Sequence, residues 1–67
     1  MPRLTMKQAR VGINATQEDI AKKMGMHSQT YSKLEKHPES VTIEQGKKFC
    51  EIVGVCFEDI FFGIDSN

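Results

Sequence analysis

The chain has 67 residues, nine basic against nine acidic side chains, and two cysteines. This length makes residues 1–67 one domain that buries only about 60% of its unfolded surface, so its core is marginal and gains from compact helix packing or dimerisation. Cys50 and Cys56 sit on one local segment, which excludes a disulfide framework. Met1 to Lys7 lacks the apolar run of a signal peptide, and no stretch is long enough to span a membrane, so a cytoplasmic protein with free thiols is expected.

The neutral sum hides a division. Residues 1–36 hold seven basic side chains against Glu18, Asp19 and Glu35, a surplus of four positive charges. Residues 37–67 hold two lysines against six acids, a surplus of four negative charges. A small domain divided in this way can turn one side to phosphate.

The first predicted helix covers residues 4–11. Thr5 can cap it, and Met6, Ala9 and Val11 give it an apolar side. Lys7 and Arg10 are three apart and share a face. Residues 12–15 connect, with Asn14 able to take a left-handed conformation.

The stretch 17–36 carries the organisation. Thr16 caps a helix whose capping-box partner is Asp19. Ile20, Ala21 and Met24 then fall on one helix face. Gly25 stands where that helix must stop, since a residue without a side chain turns there at no steric cost. A second helix over 28–36 repeats the apolar face with Tyr31 and Leu34 and leaves Gln29, Thr30, Ser32 and Lys33 pointing outward. Two short helices joined by a glycine turn are a helix-turn-helix. Ala21 fits it, because a large side chain would wedge closely crossing helices apart.

Thr42, with Gln45 three residues on, caps a fourth helix over 42–53, which Gly54 ends. Phe49, Ile52 and Val53 face inward. A fifth helix is predicted over 56–62, with Phe57, Ile60 and Phe61 buried and Phe62 in excess. That excess points to a partner surface, with Phe57, Phe61 and Phe62 as candidates for a dimer interface. Residues 63–67 read as a frayed tail.

In these residues the chain resembles the phage repressor and Cro family of helix-turn-helix domains. The likeness runs from Gln17, Ala21 and Gly25 through Leu34 and Glu35 to Ile43-Glu44, Val53-Gly54-Val55 and Phe57-Glu58-Asp59-Ile60. It covers about residues 4–62. It implies an all-α, five-helix, lambda-repressor-like fold and an ion pair between Arg10 and Glu35. It places base contacts at Ser28, Gln29, Ser32 and Lys33. Gln17, at a helix start, can hold a phosphate with its amide and backbone N–H, and Thr16, Lys36 and Lys7 are further phosphate candidates.

The chain departs from the family at several points. Asn14 stands in place of a glycine, and Ala15 in place of a larger apolar residue, whose space Ile13 can fill. His27 replaces a small capping residue, so Ser28 is expected to cap the third helix. The proline usual at Val41 has moved to Pro38, so the loop at 37–41 takes its own path. Gly46 replaces a large apolar residue, at a helix cost of about 1 kcal/mol relative to alanine, and marks close backbone contact.

The side-chain types suit the chemistry. Glutamine can bond the adenine edge, lysine can donate to guanine, and serine can do either. No metal or cofactor is expected. His27, His37, Cys50 and Cys56 lack the close spacing of a zinc site. No nucleophile with its base and no phosphate-binding glycine loop stands out, so no enzyme is expected. Two readings remain. One is a sequence-specific regulator, repressor-like, binding a palindromic duplex as a homodimer. The other is a protein-binding modulator or antitoxin-like module on the same fold.

Overall fold

A computed structural model describes residues 3–62. The tail at 63–67 lies outside the described residues. Four α-helices run in order: α1 (Met6–Gly12), α2 (Gln17–Met24), α3 (Ser28–Lys36) and α4 (Ile43–Val53). A 3-10 turn, Pro38–Ser40, joins α3 to α4, and a second, Phe57–Asp59, follows α4.

Three of these helices begin in the same way. Thr5, Thr16 and Thr42 each accept from the backbone N–H three residues on, and Gln8, Asp19 and Gln45 reciprocate. Each box satisfies two backbone donors that the helix start would otherwise strand. The helix ends also follow the sequence. Gly25 and Gly54 cap α2 and α4 at φ 75° and 73°, and Asn14 turns the first connector at φ 58°.

α3 is the exception. Its N-cap is His27, which makes no side-chain cap bond. The cap expected of Ser28 does not form, because Ser28 is already the first helical residue.

The core gathers one apolar stripe from each helix. Met6 and Ala9 of α1 meet Ile20 and Ala21 of α2, Tyr31 and Leu34 of α3, and Phe49, Cys50 and Val53 of α4. Tyr31 and Phe49 stack at its centre, ring centroids 6.2 Å apart. Ala15 packs against this core itself, while Ile13, expected to fill for it, is exposed. Val11 is exposed as well, since the apolar side of α1 is only two residues wide. Cys50 lies in the core, burial raises its thiol pKa, and both cysteines are free thiols.

The C-terminal segment corrects the sequence reading. The fifth helix expected over 56–62 does not form. The chain makes one 3-10 turn and then runs extended. Ile60 pairs with Leu4 in a parallel bridge, the Leu4 N–H donating to the Asp59 carbonyl at 3.0 Å and the Phe61 N–H to the Leu4 carbonyl at 2.8 Å. Leu4 is therefore not helical either. The bridge carries Ile60 into the core at 2% exposure.

Phe62 is not in excess. It packs against the core and stacks on Phe57, centroids 5.1 Å apart. Phe57, expected to be buried, remains 40% exposed. Gly46 explains this layout. A β-carbon there would come within 2.7 Å of Phe57 Cε1 and 3.3 Å of Phe62 Cζ. The bare backbone of α4 is the floor under the two rings.

Candidate nucleic-acid interface

The outward side of α3 follows from helix geometry. At 100° per residue, Ser28, Gln29, Ser32, Lys33 and Lys36 fall within one arc, away from the buried Tyr31 and Leu34. Gln29, Lys33 and Lys36 are exposed, while Ser28 and Ser32, on one side of the arc, are half-buried. The structure thus puts these five side chains on one ridge. Thr16 and Gln17 stand apart from it in sequence, at the start of α2. Lys7 is exposed on α1.

Polar contacts lock the ridge to the rest of the molecule. Arg10 Nε donates to Glu35 Oε2 at 2.6 Å, and Arg10 Nη1 donates to the Ala15 carbonyl at 2.9 Å. The two side chains are only 11% and 6% exposed. The guanidinium therefore joins α1, the first connector and the last turn of α3. Beside this pair lies the buried Tyr31 hydroxyl, which makes no hydrogen bond of good geometry among the described residues.

Burial alone would raise the Glu35 carboxyl pKa, but the hydrogen bonds from Arg10 and Gln17 outweigh burial and hold it below its ordinary value. The hydrogen bond to Glu35 raises the Arg10 pKa in turn, so the guanidinium stays charged. Burial pushes the Tyr31 phenol up, out of the physiological range.

One partner is not legible in the sequence. Gln17 Nε2 donates to Glu35 Oε1 at 2.9 Å. The two residues are 18 positions apart, and no local pattern marks the bond. At Thr16 the hydroxyl oxygen accepts from the Asp19 N–H at 3.0 Å, which leaves the hydroxyl proton free to donate. The Asp19 carboxyl, lowered chiefly by the Thr16 backbone N–H, stays ionised.

A helix-turn-helix family model matches residues 6–59. The chain belongs to the helix-turn-helix family. The match takes in all four helices and the second 3-10 turn of this helix-turn-helix protein. It is also 39% identical, over 62 residues, to an uncharacterised HTH-type transcriptional regulator of Methanocaldococcus jannaschii. That alignment covers 92% of this chain and 94% of the relative. No solved structure matches it.

Among the described residues no group of His, Cys, Asp or Glu could hold a metal ion. No described helix is long and apolar enough to cross a membrane.

Proposed function

We infer that this helix-turn-helix protein is a DNA-binding transcriptional regulator that reads a specific sequence in the major groove with α3. The observation that carries the reading is the ridge of Ser28, Gln29, Ser32 and Lys33, held on a helix whose opposite face is fixed in the core. A rigid helix with polar side chains outward is the geometry that base-edge recognition needs. Gln29 serves adenine, Lys33 serves guanine, and Ser28 and Ser32 take either base. Thr16, Gln17, Lys36 and Lys7 contact the phosphates that set the register. The protein represses by occupying its site, in the cytoplasm.

The contacts of one copy are few, so two copies on a palindrome complete the reading. The surface that supports a homodimer is a cleft of about 350 Å³ lined by Ile43, Phe57 and Phe62, with Arg3 and Glu58 beside them. Ile43 is 69% exposed. Two-fold symmetry requires one patch to match itself, and a cleft with apolar residues and both charges can do so. Phe61, half-buried, follows Ile60 at the margin of this region.

Selection from a randomised duplex library tests the reading. The expected outcome is one enriched palindromic motif. Gln29→Ala and Lys33→Ala should each weaken binding to it by about 5- to 150-fold, the worth of one good base contact, with helix content intact. Affinity should also fall as salt rises, since phosphate contacts release counterions. A library returned without enrichment would refute the sequence-specific reading.

A further inference from the structure

Gln17 and Glu35 meet where α2 begins and α3 ends. Both oxygens of the Glu35 carboxylate receive donors. Arg10 Nε lies 2.6 Å from Oε2, Gln17 Nε2 lies 2.9 Å from Oε1, and Arg10 Nη2 reaches Oε1 at 3.4 Å. An ionised carboxylate can only accept. It therefore decides which end of the Gln17 amide turns toward it. The nitrogen must face Glu35, and the carbonyl oxygen must face elsewhere.

That choice matters for a second acceptor. A DNA phosphate oxygen also only accepts. A side-chain amide free to turn would present its carbonyl, which repels phosphate, as readily as its nitrogen. The amide nitrogen has two N–H groups. With one spent on Glu35, the other stays available on the half-buried Gln17 at the first position of α2. Among the described residues it has no protein acceptor.

We propose that Glu35 is a positioning residue for DNA, acting through Gln17 by fixing the amide so that it offers N–H to a backbone phosphate. The proposal rests on the DNA-binding reading above. Arg10 completes the device by holding Glu35 in place, and the Ala15 carbonyl holds Arg10. The Arg10–Glu35 pair, which joins α1 to α3, thus also sets the polarity of a phosphate contact. The same bond ties the start of α2 to the ridge on α3, so phosphate grip and base reading move as one body.

The test uses the whole chain and a 20-base-pair duplex of random sequence, because a phosphate contact needs no operator. Gln17→Met keeps the length and removes the amide. Glu35→Gln keeps the shape but lets the new amide show either end to Gln17. Each change should weaken duplex binding by about tenfold, as for a hydrogen bond to a charged group, and the double variant should bind no worse than the weaker single variant. Losses that multiply in the double variant would overturn the proposal, since a merely structural Glu35 acts independently of the Gln17 amide. Unchanged binding by Gln17→Met would do the same.

If Glu35→Gln fails to fold, the unaltered protein answers by NMR. One Gln17 amide proton should be shifted and slow to exchange in the free protein, and the other should move only when duplex is added. Two equivalent, freely exchanging protons would overturn the proposal. Failure of the unaltered chain to bind any duplex would overturn both this proposal and the DNA reading, whereas intact binding with independent losses overturns this proposal alone.

Discussion

Glu35 has a consequence for acid stability. Unfolded, its carboxyl titrates at about pH 4.3. Folded, it titrates lower. A carboxyl lowered on folding contributes its full stabilisation above the unfolded value and loses it as pH falls through the folded one. Asp19 is lowered too and acts in the same direction. Stability should therefore be insensitive to these groups from about pH 7 to about pH 5 and decline below about pH 4. Urea midpoints at neutral and acid pH should differ less in Glu35→Gln than in the parent. Equal acid losses in both would place the effect on other residues.

Gly46 is the other single position with a measurable signature. Alanine there gains about 1 kcal/mol of helix propensity. It also pushes aside the Phe57 ring, disturbing a stack worth about 0.5–1.5 kcal/mol. Phe57 is half in solvent, so the ring can swing away. Gly46→Ala should thus stay within about 1 kcal/mol of the parent. In a Phe57→Ala background only the Phe62 ring, 3.3 Å from the added carbon, still has to give, so the same change should stabilise by up to about 1 kcal/mol. Denaturant unfolding of the four proteins checks this, and strict additivity would show that the ring does not rest on Gly46.

Among the elements, α3 begins without a cap while α1, α2 and α4 each have a full box. His27→Ser should supply the missing acceptor and raise stability by about 0.5–1 kcal/mol, read as a higher urea midpoint. An unchanged midpoint would mean that the N–H groups at the start of α3 are already satisfied. The other three boxes were readable because threonine, two intervening residues and a polar partner form a local code. So were the glycine stops of α2 and α4, since a positive φ favours glycine.

What could not be read was non-local. The sequence from Cys56 to Phe62 has apolar spacing that suits a helix, but its helical run stops after one 3-10 turn because the extended partner, Leu4, lies at the far end of the chain. No local window contains both. Ser28 was misplaced because capping preference ranks residues, whereas the backbone of His27 set the boundary. On the candidate interface, the polar arc of α3 was legible from its period. The Gln17–Glu35 bond was not, because only the crossing of α2 over α3 brings the two together.

At the scale of the molecule, a chain of this size cannot spare much of its apolar surface. It uses Tyr31, Phe49, Met6 and Ile20 completely. It nonetheless leaves Ile43 largely open and Phe57 part-exposed beside a cleft. A second copy over that cleft would raise the melting temperature with protein concentration.

Residues 4 and 60 lie side by side, so the backbone is almost a closed ring. Where such a ring is cut is a matter of connectivity rather than packing. A permuted gene that links Phe62 back to Arg3 through a short glycine-serine linker and opens the exposed Glu39–Ser40 bond loosens only the 3-10 turn at Pro38–Ser40, so it should yield the same helical circular dichroism and a cooperative melt. A permutant that stays unfolded would show that the turn between α3 and α4 must be continuous for this helix-turn-helix protein to assemble.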